Sequence, residues 1–414
     1  MVTKYDVFME VYERGGPLKI IDVVRELKQK RFEYDKIRKI LETLAEMKLI
    51  VKNEYGYEKV MNSENQHLFE MLKYCITNDV NYNELFEETV AKYLSKAFLK
   101  KSFGRKDIGL HARTFSKISA VLEKNGLLTV LSRKPFKAIV PYNSFLGDLI
   151  AYFGQRPMVA KMRTDEYFDE IKKELIKFKR LRNANNRRYQ EILESLQIRF
   201  IHHSLSIEGN PITLRQTIKL LKEKIVPENL SVESVLEVQN YQKAFLQMIQ
   251  NVRDELPLSK ASMLNYHFIA MQHKPEWAGK IRDDHVIIRG NADYKVADYK
   301  DIEPLLDNLV NKYNDFLKYH KHSLKEILGF AAYLHNDFQH IHPFFDGNSR
   351  TTRLITFHFL QMNDIPIFDI PLGLLEEYVF STKGARRRED EKLGQVLQLI
   401  IMANLKAINE KLSG

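Results

Sequence analysis

One short segment, 342–353, concentrates side chains that could do chemistry. A histidine, His342, is a natural general base for a hydroxyl group near neutral pH. Four residues on, Asp346 offers hard oxygen ligands of the kind that Mg²⁺ takes beside phosphates. Arg350 and Arg353 are three positions apart, so on a helix they share one face and can grip a polyphosphate with forked hydrogen bonds. The segment therefore predicts chemistry of the phosphoryl-transfer type.

The residues on either side predict how this segment is held. Residues 324–338 have helical periodicity, and a second apolar helix begins at about 354. The loop between them contains Pro343, Gly347 and Asn348 and opens onto a helix N-terminus, where unpaired backbone N–H groups attract anions. Neither a P-loop pattern nor a protein-kinase signature set occurs in the chain.

The segment His342-Pro-Phe-x-Asp-Gly-Asn-x-Arg-x-x-Arg353 resembles the active-site motif of Fic (Fido-domain) proteins, H-x-F-x-[D/E]-G-N-[G/K]-R-x-x-R. Ser349 departs from it, because the family usually has Gly or Lys there. The resemblance implies a helical Fic core with a small β-hairpin flap, so the expected fold is mainly α-helical, with the core preceded by winged-helix (α+β) units. The winged-helix units are expected from the order of helices and hairpins in the N-terminal residues and not from this motif. The resemblance also implies a protein adenylyltransferase, which transfers AMP from ATP to a Ser, Thr or Tyr hydroxyl of a target protein.

The same resemblance implies a role for each residue of the motif. His342 takes the proton of the target hydroxyl, and Asp346 holds Mg²⁺ at the phosphates of ATP. The nucleotide-binding positions would be Gly347, Asn348, Ser349, Arg350 and Arg353. The target-docking flap, which binds its target by strand pairing, would be the β-prone run Val286, Ile287 and Ile288.

A second motif lies upstream. Ser204-Leu-Ser-Ile-Glu208-Gly209 resembles the inhibitory motif of the family, [S/T]-x-x-x-E-[G/N]. A carboxylate aimed into a phosphate pocket pairs with an arginine there, so Glu208 is predicted to pair with Arg353 and to exclude the γ-phosphate. A de-AMPylating hydrolase, in which Glu208 activates water, remains an alternative.

The rest of the chain suggests four segments. Residues 1–62 have the helix and hairpin order of a winged helix, and residues 63–150 repeat its apolar positions at an offset of 78. A charged helical linker is expected over 151–196, and the Fic domain with its inhibitory helix over 197–405. The linker is expected to be a solvated connecting helix.

The net charge of +10 leaves a second function open. Residues 97–137 are strongly basic, with Arg113 and Lys117 on the expected recognition helix and Arg133 and Lys134 at the wing. Such groups suit DNA phosphates, so a winged-helix DNA-binding regulator with a secondary Fic activity is an alternative. Docking of a protein is the other use of such a surface, and a homodimer is also left open.

The composition of the chain limits where the protein is expected to be located and which cofactors it is expected to use. No run of about 18 apolar residues suggests a membrane span, and the N-terminus does not resemble a secretory signal. The single cysteine, Cys75, fits a reducing cytoplasm. His335, His340 and His358 lie near His342, but zinc-binding spacing is missing, so packing or surface roles are expected for His335 and His340. ATP is the expected substrate and Mg²⁺ the expected cofactor. The family often has aromatic residues against the adenine after the position of Pro371, and Tyr378 lies in that region, but no adenine contact is assigned.

Overall fold

A computed structural model of the protein describes residues 2–14, 16–27, 33–155, 167–288, 291–318, 321–366, 369–382 and 388–413. These residues are mainly helical, and the strands among them form two antiparallel two-stranded sheets. The expected mainly α fold is confirmed. Among the described residues, no helix is long and apolar enough to cross a membrane.

The same order of elements occurs twice in the first 155 residues, three helices followed by a hairpin. In each copy a residue ahead of the second helix bridges to the hairpin, Leu18 to Tyr57 and Phe103 to Ala138. The first copy contains α1 (Lys4–Glu13), α2 (Ile20–Glu26), α3 (Tyr34–Glu46), β1 (Ile50–Asn53) and β2 (Gly56–Lys59). Next come α4 (Ser63–Thr77), α5 (Tyr82–Leu85), α6 (Glu88–Phe98), α7 (Arg105–Ile108), α8 (Ala112–Lys124), β3 (Thr129–Arg133), β4 (Phe136–Ile139) and α9 (Ser144–Tyr152). The predicted strands and hairpins are present, while the division into winged-helix domains stays a prediction.

The remaining elements are helices. They are α10 (Phe168–Ala184), α11 (Asn186–Ser206), α12 (Leu214–Ile218), α13 (Val232–Arg253), α14 (Lys260–Ala270), α15 (Ile302–Leu317), α16 (Leu324–Ile341), α17 (Asn348–Met362), α18 (Leu375–Ser381) and α19 (Asp390–Ser413). They enclose one hydrophobic core, and a second core lies within the N-terminal 153 residues.

The expected charged linker, 151–196, is more than a solvated connector: residues 156–166 lie outside the described residues, and the part from 168 onward is helical. It forms two helices, α10 and α11, that meet at Asn185. Ile171 and Phe178 of α10 are buried in the C-terminal core, and α10 packs along α19. A narrow apolar stripe is enough to pack a highly charged helix against a core. Because charged residues dominate this stretch, the stripe is hard to recognise in the sequence.

The second hairpin packs against the C-terminal part of the chain. Arg133 pairs with Glu410 of α19 at 2.5 Å and with Glu123 at 2.8 Å. Lys406 of α19 donates to the Leu131 carbonyl at 2.6 Å. The guanidinium expected to contact DNA at the wing is therefore engaged by carboxylates. Arg113 and Lys117 are exposed, as the DNA hypothesis needs, but they line a groove shared with Glu84 and Glu87.

The structure differs from the predicted flap. Residues 285–288 contain no strand, so Val286, Ile287 and Ile288 do not form a hairpin within the described residues, and positions 289 and 290 lie outside them. Ile287 is 80% exposed, whereas Ile288 is buried. β-Branched residues favour strands only where a partner strand accepts their backbone hydrogen bonds, and none of the described strands lies beside this run.

Leu372 joins the two halves of the chain. It lies between α17 and α18, which pack in the C-terminal core, yet its side chain is buried in the N-terminal core. The next residue, Gly373, donates its backbone N–H to the Gly126 carbonyl at 2.9 Å.

We expect Leu372→Ala to lower the free energy of unfolding by about 2–5 kcal/mol, because it removes a buried side chain and leaves a cavity. Urea denaturation followed by circular dichroism measures this loss. Leu99→Ala, at a half-exposed leucine, is the control and should stay within about 0.5 kcal/mol of the parent. Equal effects of the two substitutions would contradict the joining role of Leu372.

Candidate active site

The motif residues lie on the loop between α16 and α17. His342 ends α16 in the left-handed conformation, with φ 50°, and its backbone N–H donates to the Phe338 carbonyl at 2.9 Å. Its side-chain Nδ1 lies 3.3 Å from the Gln339 carbonyl. Since a carbonyl only accepts, Nδ1 carries the proton in this contact and Nε2 carries the lone pair. His342 is half-buried, so its ring can reach solvent and substrate.

The loop is braced by its own side chains. Phe344 is fully buried, and its ring stacks on His267 at a centroid distance of 3.5 Å. The amide of Asn348 accepts from the Phe344 N–H at 3.0 Å and donates to the Phe344 carbonyl at 2.7 Å. Gly347 has φ 80°, and a Cβ there would lie 2.8 Å from the Met271 sulfur. The Asn348 side chain thus shapes the loop, leaving backbone N–H groups at the start of α17 to face an anion.

Two further residues hold this loop from outside. His267 accepts from the Gly279 N–H at Nδ1 and donates from Nε2 to the Asp346 carbonyl, both at 2.9 Å. Arg282 is buried, and its Nε donates to the His342 carbonyl at 2.7 Å. Burial lowers the pKa of Arg282. The sequence analysis did not assign these roles, because both contacts join residues that are distant in the chain.

Asp346 is an ionised carboxylate at the mouth of the loop. Its Oδ2 accepts from Lys274 at 3.0 Å, and its Oδ1 accepts from Arg350 at 2.7 Å and from the Gly347 N–H at 2.6 Å. Burial favours the neutral acid, but the two cations outweigh it and lower the pKa of Asp346 to about 2. No group of three or more potential ligands gathers in the described residues. One partly exposed carboxylate suits Mg²⁺, which takes few protein ligands and completes its shell with phosphate oxygens and water.

Arg350 lies almost entirely below the surface. Its Nη2 donates to Asp346, and its Nη1 forms a short ion pair with Glu237 of α13. The third donor, Nε, is buried and has no hydrogen-bond partner among the described residues. The sequence analysis did not assign a role to Glu237, because its contact with Arg350 joins residues that are 113 positions apart.

Arg353 lies beside Glu208, as the sequence predicts. Its Nη2 is 3.1 Å from Glu208 Oε1. Ser204 accepts from the same guanidinium twice, at Oγ from Nε at 2.6 Å and at its carbonyl from Nη2 at 2.9 Å. Burial opposes the charge of Arg353, but the Glu208 carboxylate raises its pKa above the usual value. Ser204 therefore fixes the guanidinium, while Glu208 accepts from its Nη2.

The other residues singled out in the sequence lie in a turn, on the first turn of α17, in the core or at the surface. Gly209, with φ 94°, follows Glu208 and turns the chain out of α11. Ser349 is half-buried on the first turn of α17. Tyr378 is buried and shares a hydrogen bond of 2.7 Å with His335, so it packs in the core. As expected, His335 is a buried packing histidine and His340 is exposed, and His358 is also buried.

Acid should destabilise the fold through its buried histidines. Burial lowers the pKa of His267 to about 4, that of His358 to about 4 and that of His335 to about 3, from 6.5. The unfolded chain takes up protons below pH 6.5, whereas the folded chain resists them, so stability is present above pH 6.5 and falls as the pH drops toward 4. His267 alone should contribute a loss of roughly 3 kcal/mol by pH 4.

Urea denaturation between pH 7 and pH 4 tests this expectation. His267→Gln should give a shallower decline than the parent, and His340→Gln, at an exposed position, should not. A parent stability that does not change between pH 6.5 and pH 5 would contradict the neutral assignment.

Comparison with known proteins connects this geometry to a family. Residues 257–360 match the model of the Fic/DOC family. Proteins named protein adenylyltransferase Fic from Drosophila persimilis and Drosophila virilis are each 28% identical over 179 residues, 43% of this chain, but the match spans only 34% and 36% of their own lengths.

Among solved structures, a Fic domain containing signaling protein from Bacteroides thetaiotaomicron is 20% identical, with a TM-score of 0.49 over 59% of this chain and 97% of that one. Fic-1 from C. elegans is 17% identical, with a TM-score of 0.48 over 90% of this chain and 92% of that one. From the family match and the Drosophila relatives we conclude that the chain carries a domain of the Fic/DOC family, which holds the loop of His342 and both arginines.

Proposed function

We propose that the protein is a protein adenylyltransferase, which transfers AMP from ATP to a hydroxyl of a target protein and is inhibited by its own Glu208. The observation that carries this proposal is the loop between α16 and α17. It places a histidine with its Nε2 lone pair at the end of one helix and two buried arginines on the first turns of the next. The names of the Drosophila relatives support the same activity.

The reaction follows from these positions. The hydroxyl oxygen of the target attacks the α-phosphorus of ATP while Nε2 of His342 takes its proton. The bond from the α-phosphorus to the bridging oxygen breaks, and pyrophosphate leaves. N–H groups at the start of α17 face the charge on the α-phosphate, and Arg350 and Arg353 hold the outer phosphates. Asp346 would hold Mg²⁺, which neutralises phosphate charge when bound. Ile287, which is 80% exposed, would contact the target.

Inhibition rests on competition for one guanidinium. The Glu208 carboxylate occupies the Arg353 donors that a γ-phosphate would take. ATP can then bind only by displacing Glu208 or by binding in a shifted position that misplaces the α-phosphate.

His342→Ala should lower AMP transfer by about 10²–10⁴-fold, because it removes the general base. The measurement is incorporation of label from α-labelled ATP with Mg²⁺, in a Glu208→Gly parent. His340→Ala, at the exposed histidine two residues away, is the matched control and should keep the activity of the parent. Full labelling by a folded His342→Ala protein would refute the assignment of the base.

Glu208→Gly should raise AMP transfer, including self-modification, well above that of the wild type. Adding Arg353→Ala should reverse the gain, because the released arginine holds the productive position of ATP. Glu194→Ala is the control on the same helix, since Glu194 is exposed and pairs with Lys222. If the Glu208→Gly protein transfers no AMP, and if it no longer releases AMP from a modified target, the result favours the hydrolase alternative and contradicts the transferase proposal.

A further inference from the structure

One face of α13 contacts both arginine sites. Glu237 and Tyr241 are four residues apart, so they project from the same side of the helix. Glu237 forms the ion pair with Nη1 of Arg350. The Tyr241 hydroxyl donates to the Arg350 carbonyl at 3.2 Å and accepts from the Ser204 hydroxyl at 2.9 Å. Helix α13 therefore connects the inhibitory helix α11 with the arginine helix α17.

The carboxylate of Glu237 has two partners on opposite sides. Its Oε1 contacts Arg350, and its Oε2 accepts from the Asn210 side-chain amide at 2.7 Å. Asn210 lies two residues after Glu208, and its amide is fixed further by the Ser234 carbonyl at 3.1 Å. The orientation of this carboxylate is therefore set from the segment that carries the inhibitory glutamate.

The donors of Arg350 indicate where an anion would bind. The Nε and Nη2 donors form one edge of a guanidinium, the edge that makes forked contacts with phosphates and carboxylates. Glu237 takes Nη1, outside this edge, and Asp346 takes Nη2. On the phosphate-binding edge, Nε is buried and unpaired among the described residues. Leaving a buried donor unpaired is costly, so this position suits a ligand oxygen.

We propose that Glu237 is a positioning residue for ATP, which holds Nη1 of Arg350 so that the Nε edge faces the phosphates. This inference rests on the proposed function. The geometry distinguishes Glu237 from a second inhibitory acid, because an inhibitor takes the donors that ATP needs, as Glu208 does on Arg353. Glu237 takes the donor that ATP does not need and leaves Nε, which is buried and unpaired among the described residues, for a phosphate oxygen.

The test compares Glu237→Gln and Glu237→Ala in a Glu208→Gly parent. ATP binding is measured by titration calorimetry with Mg²⁺, and KM and kcat for AMP transfer are measured separately. Removing the carboxylate should raise Kd and KM for ATP roughly tenfold in Glu237→Ala, since a charge-assisted contact no longer orients Arg350. Glu237→Gln keeps an oxygen acceptor for Nη1, so its Kd should lie between those of the parent and of Glu237→Ala. The kcat at saturating ATP should change little, and Glu194→Ala should match the parent.

A second comparison shows whether the effect passes through Arg350. In an Arg350→Ala parent, Glu237→Ala should weaken ATP binding no further, because the group that it positions is gone. The proposal is overturned if both Glu237 variants bind ATP as the parent does. It is also overturned if they bind ATP more tightly, as loss of an inhibitory acid predicts, or if the loss persists without Arg350. A Glu208→Gly parent that binds ATP but transfers no AMP would refute the proposed function, and the binding series would still decide the role of Glu237.

Discussion

The buried guanidinium of Arg353 requires an anion and hydrogen-bond acceptors from the residues around it. A charge with almost no exposure must be paired and hydrogen-bonded, because an unpaired ion in the interior costs several kcal/mol. Ser204 supplies two acceptors but no charge, so the positive charge still needs an anion. Glu208 provides it in this structure, and a phosphate of ATP could provide it instead. The proposed inhibition and the proposed binding of ATP would therefore meet the same electrostatic requirement in two ways.

The loop meets a different requirement, which is rigidity without regular structure. Its backbone leaves α16 through a left-handed residue, His342, and enters α17 through another, Gly347. Between them the Asn348 amide satisfies both backbone groups of Phe344, while His267 and Arg282 bind the carbonyls on either side. Because the chain's own residues make these contacts, the proposed base and the proposed anion site would need little reorganisation to take ATP.

The sequence predicted those parts of the site that lie within one local pattern. The loop, its flanking helices and the hairpins were found from spacing, and the motif around Glu208 led to its partner, Arg353, 145 residues away. The contacts of Glu237, His267 and Arg282 could not be found in this way, because each joins separate elements and follows no periodicity. The run at 286–288 was assigned to a hairpin from its β-branched residues, but a strand depends on a partner that a local pattern does not specify.

The proposed inhibition depends on how firmly α11 is held as well as on the Glu208–Arg353 pair. Arg353 is buried and Glu208 is partly exposed, and side-chain entropy opposes the ordering of such a pair. Here the helix that ends beside Glu208 buries Phe200, Ile201 and Leu205 in the core, and His203 contacts Asp369 at 2.6 Å. Packing of α11 therefore lowers the ordering cost, and in the proposed inhibition the carboxylate would compete with ATP as a group already fixed near its partner. A tethered group of this kind acts at a high effective concentration, so movement of α11 or of the turn after it would relieve the proposed inhibition.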